Sequence, residues 1–171
     1  MPQLTDSFDL ARQSMSSGEA RRIPLDVAVE PFGYGGQRYE VSPKTVSVLL
    51  DVSRTTGSGW ALRLRFEVSV EGPCMRCLAP ASPQVEVDAR EVDQPGGGDE
   101  LSSPYVDDGE LDVAGWVREA LALAMPSQIT CRPDCRGLCA HCGANLNEDP
   151  GHAHEQAPDK RWDKLSELRF D

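Results

Sequence analysis

From Trp60 to Glu71 the chain alternates almost without a break. Trp60, Leu62, Leu64, Phe66, Val68 and Val70 fall on one parity, and Arg63, Arg65, Glu67, Ser69 and Glu71 on the other. Successive side chains of a strand point to opposite faces, so this stretch can bury its apolar set only as a strand of a half-covered sheet. The same period runs through Ile23, Leu25, Val27 and Val29, through Val46, Val48, Leu50 and Val52, and around Val85, Val87 and Ala89. The turn-forming run T-T-G-S-G at 55–59 predicts a hairpin between the second and third of these strands. Clean alternation of this kind calls for an antiparallel sheet with one face packed and the other wet.

Beyond the strands the period changes. Val113, Trp116, Val117, Ala120, Leu121 and Ala124 recur at three- and four-residue spacing, which predicts a helix capped by Asp112, ended by Pro126 and buried along that stripe. A second, short helix is expected from Asp159 to Leu168. Residues 94–110 are rich in glycine, proline and acids and read as a flexible loop. The expected fold class is therefore α+β. It comprises an antiparallel sheet with one packed helix over residues 1–125, and a cysteine-rich, zinc-binding segment over 126–171 packed on that core.

Charge narrows the function classes. The net charge is −11, and the stretch from Glu86 to Asp112 holds ten acidic residues against Arg90 alone. Such a stretch repels nucleic acid and attracts basic proteins, while leaving the other faces free for different contacts. The opening residues M-P-Q-L-T-D-S-F-D-L offer neither a basic start nor an apolar stretch, so no secretory signal is expected. No apolar run is long enough to span a bilayer. These features predict a cytoplasmic chain with no membrane partner. In that reducing compartment close cysteine pairs serve as metal ligands more often than as disulfides.

Six cysteines arrive as three such pairs. Cys74 and Cys77 lie in P-C-M-R-C-L, at the proline-punctuated tip between the third and fourth strands. Cys131, Cys135, Cys139 and Cys142 lie in C-R-P-D-C-R-G-L-C-A-H-C-G. Thiolates three or four residues apart can grip one metal from a tight turn, and two such turns complete a tetrahedral zinc site. Gly143 lets the chain curl back so that amide protons face the sulfurs. With His152 and His154 there are enough paired ligands for two sites.

Three combinations remain open. Cys131 and Cys135 could join Cys74 and Cys77, leaving Cys139 and Cys142 to His152 and His154. The four tail cysteines could form one site alone, with Cys74 and Cys77 a free dithiol. Or the two C-x-x-C pairs could combine. A closed, thiolate-rich shell is structural, so the expected cofactor is one or two structural zinc ions. The competing reading of H-A-H is a solvated tail, and His141 is expected to point outward.

Enzyme chemistries lack their parts. P-C-M-R-C matches half of a zinc deaminase motif, but no His or Cys precedes Cys74 to supply the other half. A thioredoxin-like pair needs a helix at the first cysteine, and Pro80 and Pro83 oppose one. The three adjacent glycines at 96–98 lack the Lys-Ser/Thr of a phosphate loop. No spacing supports a hydrolase, and no small-molecule substrate is expected.

P-C-M-R-C-L after an alternating strand, D-V-A-G-W-V-R-E-A-L-A-L-A-M-P, the run C-R-P-D-C-R-G-L-C-A-H-C-G-A-N-L-N and the trailing R-W-D-K-L-S-E-L together resemble the YceD family, over roughly residues 20–170. This is the bacterial large ribosomal RNA subunit accumulation family. The resemblance implies a non-enzymatic, cytoplasmic accessory factor in ribosome biogenesis, whose partner is a ribosomal protein or an rRNA precursor of the large subunit. It maps the family's C-x-R-C element onto Cys74, Arg76 and Cys77, and its C-terminal element onto Cys131, Cys135, Cys139 and Cys142. It also favours a second site using His152 and His154. Candidate RNA or partner contacts are Arg76, Arg132, Arg136, Arg161 and Trp162, each arginine having solvation or a salt bridge as its alternative. The competing functional reading is a redox- or metal-responsive protein that uses the Cys74/Cys77 dithiol.

Overall fold

A computed structural model describes residues 3–154. The short helix expected at Asp159–Leu168, with Arg161 and Trp162, lies outside the described residues. In chain order the strands are β1 (Gln3–Leu4), β2 (Ser7–Asp9), β3 (Ala20–Ala28), β4 (Phe32–Tyr34), β5 (Gln37–Ser42), β6 (Thr45–Arg54), β7 (Trp60–Pro73), β8 (Pro80–Ala81), β9 (Gln84–Asp93), β10 (Val106–Asp107) and β11 (Glu110–Asp112). Helix α1 follows at Val113–Ala124. Except for the short parallel pairing of β1 with β3, the sheets are antiparallel. The expected class, a mostly antiparallel sheet with one helix, is the observed one.

The long strand β7 organises the large sheet. One edge pairs with β9 through Trp60–Ser69; along the other, β6 pairs with Trp60–Arg65 and β5 takes over at Ser69–Glu71. The register stacks the apolar parity of every strand. Leu64 sits between Leu50 and Ala89, Val52 faces Leu62, Phe66 faces Val87, and Leu25 faces Val48. Leu50, Val52, Leu64 and Val70 are completely buried. Each such side chain contributes roughly 1.5–3 kcal/mol relative to exposure, which makes a one-residue slip of register prohibitive.

Helix α1 begins where expected, with Asp112 Oδ1 accepting from the Gly115 amide at 2.8 Å. Its buried stripe is Val113, Trp116, Val117, Ala120 and Leu121, packed against β9, β3 and β2. Ala124, expected to continue that stripe, is exposed, and Met125 is buried in its place. The reason is local: the residue before Pro126 is driven to extended φ and ψ, which swings Met125 back toward the core.

Two features exceed the sequence expectation. β5 has no counterpart in the sequence expectation, although it carries the fully buried Tyr39. Residues 94–110, expected as a flexible loop, contain a 3-10 turn at Asp99–Leu101 and strand β10, which joins β11 and β2 in a second small sheet. Tyr105 from this stretch stacks on Trp116 with ring centroids 5.9 Å apart. Among the described residues no helix is long and apolar enough to cross a membrane.

Candidate metal centre

The end of β7 is where the site begins. Gly72 lies so close to Tyr39 that a methyl group on it would come within 2.2 Å of the ring. The Tyr39 hydroxyl donates to the Pro73 carbonyl at 2.9 Å. The strand is thereby held up to the residue before Cys74. The chain then reverses in a tight turn, with Cys74 N donating to Ala79 O at 2.7 Å and Leu78 N to Cys74 O at 2.9 Å. Leu78 takes a left-handed φ of 61° to close it. This is the hairpin tip expected to carry Cys74 and Cys77.

The segment after α1 docks on that tip. Ile129 is fully buried; its carbonyl accepts from Met75 N at 2.8 Å. Arg76 braces the next turn from both ends. Its Nη1 donates to Cys135 O at 2.7 Å, and its carbonyl accepts from Leu138 N at 3.0 Å. Gly137, with φ of 78°, permits this approach, since a Cβ there would stand 3.0 Å from the Arg76 carbonyl oxygen.

These contacts select one of the three combinations. Cys74, Cys77, Cys131 and Cys135 form one group, and Cys139, Cys142, His152 and His154 a second; within each, the ligand atoms lie within 4.8 Å of one another, and each group could hold a metal ion. In the first, Cys74 and Cys135 sulfurs are 3.8 Å apart and Cys77 and Cys131 sulfurs 3.6 Å apart. Cys74, Cys77 and Cys135 are buried, and Cys131 is at the surface. In the second, Cys142 Sγ is 3.1 Å from His152 Nε2 and 3.2 Å from His154 Nε2. Cys74 and Cys77 are thus not an isolated dithiol, and the four tail cysteines do not share one site. His141 is exposed but packs edge-on against His154, with ring centroids 4.6 Å apart.

Both second-group cysteines come from a tight turn. Gly143 N donates to Cys139 O at 2.8 Å, and Cys139 N donates to Ala144 O at 2.8 Å. Gly143 adopts φ of 75°, the conformation the sequence expectation required of it.

Backbone donors prepare one thiolate in each group. Burial by itself raises the Cys74 thiol, but the amides of Cys77, Arg76 and Cys131 outweigh it and hold the group at about 6. The amides of Cys142 and His141 draw Cys139 down to about 6. Cys131, sharing a hydrogen bond with Cys77, is pushed up to about 12. In the first group the shared hydrogen bonds thus favour charge on Cys74 over Cys131, and a bound cation favours the thiolate form of a ligating sulfur.

Asn147, a residue without a role in the sequence expectation, ties the four-cysteine group to the segment between Cys142 and His152. Its Nδ2 donates to Cys135 Sγ at 3.6 Å and to Asn145 Oδ1 at 2.8 Å. Its Oδ1 accepts from Arg136 N at 2.8 Å and Arg132 Nη2 at 2.9 Å. The run N-L-N directly after the last cysteine turn was its one trace in the sequence. Of the arginines expected as contacts, Arg76, Arg132 and Arg136 are internally engaged, and Arg161 lies outside the described residues. Arg76 holds Cys135, Arg132 also pairs with Asp134 at 3.3 Å, and Arg136 Nη1 donates to Pro150 O at 3.0 Å.

Comparison with known proteins places this site in a wider group. The chain is 39% identical to an uncharacterized protein of Mycobacterium tuberculosis over 105 residues, covering 57% of this chain and 49% of the relative. It is 32% identical to a Mycobacterium leprae protein over 101 residues, covering 56% and 46%. It is 41% identical over 49 residues, 29% of this chain and 16% of the relative, to the chloroplastic large ribosomal RNA subunit accumulation protein YCED homolog 1 of Zea mays. The chain spans about half the length of the mycobacterial relatives it matches. No solved structure matches it. Residues 62–169, which include most of β7, α1 and both ligand groups, match the model of the large ribosomal RNA subunit accumulation protein YceD, and the chain belongs to that family.

Proposed function

We propose that the protein is a non-enzymatic accessory factor in ribosome biogenesis, supporting accumulation of large-subunit ribosomal RNA in the cytoplasm, with two structural zinc ions in its C-terminal segment. The observation that carries the reading is the family match over residues 62–169, which contains both ligand groups. The names of the maize and Arabidopsis relatives point the same way.

The donor chemistry fits zinc. A tetrahedral four-sulfur site with zinc–sulfur distances of about 2.3 Å has sulfur–sulfur edges of about 3.8 Å. The separations of 3.8 and 3.6 Å in the first group agree with that shape. The second group is tighter, with its histidine Nε2 atoms 2.9 Å apart against an edge of about 3.4 Å. Zinc held by four protein ligands supplies folding energy and has no open position for substrate. The residues do the positioning: Cys74 and Cys77 present ligands from the sheet, Cys131 and Cys135 from the tail, and together they staple one to the other.

The test is an affinity isolation of the tagged, zinc-loaded chain from native lysate, with and without nuclease. Co-purification of large-subunit precursors or ribosomal proteins is the expected result. If neither appears, and depletion leaves the ratio of large- to small-subunit RNA unchanged, the proposal fails.

A further inference from the structure

A groove of about 920 Å³ runs between β4 and α1, and none of the candidate metal ligands lines it. Glu30, Phe32 and Tyr105 line it from the strand and loop side, and Asp112, Arg118 and Glu119 from the helix side. Three carboxylates thus face one guanidinium. Among the described residues none of Glu30, Asp112 and Glu119 belongs to an ion pair. Asp112 is engaged only as the helix cap. The stretch that supplies Tyr105 and Asp112 also carries Asp107, Asp108 and Glu110, and the whole chain is at −11.

The open face of the large sheet makes the contrast. Arg22, Asp51, Arg63 and Arg90 form one cross-strand row there, and Arg65 and Asp88 belong to the next. Three of its four arginines are closely answered, Asp51 pairing with Arg22 and Arg65 at 2.6 Å and Asp88 with Arg63 at 2.5 Å, while Arg90 stands 4.0 Å from Asp88. A nucleic-acid backbone would have to displace these carboxylates. A cation entering the groove breaks no ion pair among the described residues, although Glu119 also bonds Tyr105.

The shape of the groove selects the kind of cation. β4 ends the strand order of its sheet, so its outer edge has no strand partner among the described residues. An extended chain laid along such an edge presents alternate side chains to opposite sides. The set turned into the groove would meet both the carboxylates and the half-buried rings of Phe32 and Tyr105. We propose that this groove binds an extended, lysine- or arginine-rich segment of a protein partner. This rests on the assembly role above and names the chemistry of the partner in it.

The test uses the full chain loaded with zinc and three labelled probes: a synthetic peptide alternating lysine and leucine, its glutamate–leucine counterpart, and polyuridylate. Fluorescence anisotropy should show binding of the lysine peptide alone. Glu30→Lys with Glu119→Lys should weaken it on the order of tenfold or more. Glu67→Lys with Glu86→Lys makes the same charge change on the open sheet face and should leave binding unchanged. Equal weakening in both double variants overturns the proposal, as does a preference for polyuridylate or no peptide binding at all. If the peptide is ignored while large-subunit components still co-purify, the groove falls and the assembly role stands. If the peptide binds as expected and no ribosomal component co-purifies, the assembly role falls and the groove stands.

Discussion

The Asn147 side-chain amide donates to the Cys135 sulfur across 3.6 Å, and this contact joins the four-cysteine group to the segment between Cys142 and His152. Donors to a ligating sulfur orient it and stabilise its charge, and removing such a partner typically costs roughly 10–100-fold in metal affinity. Asn147→Ala should therefore weaken zinc binding at the four-cysteine group by that factor. Competition against a chromophoric chelator measures it, and unchanged affinity would remove Asn147 from the site.

The two groups should empty separately. Cys139→Ser is expected to lower the zinc content from two to one and loosen mainly the tail beyond Leu138. Cys135→Ser should also leave one zinc, with a larger fall in melting temperature. Cys135 is buried and its group draws ligands from both the end of the sheet and the segment around Ile129, whereas Cys142 is exposed and its three companions are half-buried. Metal analysis paired with thermal unfolding reads both effects; an equal fall in the two variants would contradict the difference in burial.

The close approach of Gly72 to Tyr39 sets the end of β7. Gly72→Ala must push a methyl group into the ring and should destabilise the fold by about 1–3 kcal/mol. Tyr39→Phe removes the hydroxyl that satisfies the Pro73 carbonyl and should cost about 1 kcal/mol. Urea denaturation of the zinc-loaded protein provides the comparison. A neutral Gly72→Ala would show that the strand end yields more readily than its packing implies.

Acid stability should depend on Asp51. Burial pushes its carboxyl up, but hydrogen bonds from Arg22 and Arg65 prevail and hold it below the ordinary carboxylate value. A depressed folded pKa contributes stability that is present above the unfolded value of about 3.9 and is lost as pH falls through the folded value. Wild type should melt above Asp51→Asn at neutral pH, and the gap should close as the solution is acidified below that range. A gap that persists in strong acid would mean that Asp51 acts through packing rather than charge.

Much of the sheet was legible because alternation is a strong local signal where one face is covered. β3, β6, β7 and β9 each carry three or more apolar residues on one parity, and the hairpin between β6 and β7 sits on its glycines. β5 is short, and its two buried residues, Tyr39 and Val41, stand among Arg38, Glu40 and Ser42, too few for a period to emerge. β10 and β11 form within an acid- and glycine-rich stretch because Leu111 reaches the core and Tyr105 finds Trp116. That gain appears only when the partner surfaces exist.

The sequence alone determined that three cysteine pairs and one histidine pair were available as ligands, because local turns bring paired cysteines together whatever the rest of the chain does; it left open whether they make one site or two. Which pairs combine was decided by the tertiary structure. Cys74 and Cys135 are 61 residues apart, and what joins them is the docking of Ile129 beside Met75 and the brace of Arg76 on Cys135 and Leu138. A spacing pattern encodes the geometry of one turn. The meeting of two turns depends on where the sheet ends and which apolar residue of the tail is buried there, and those are properties of the packed core.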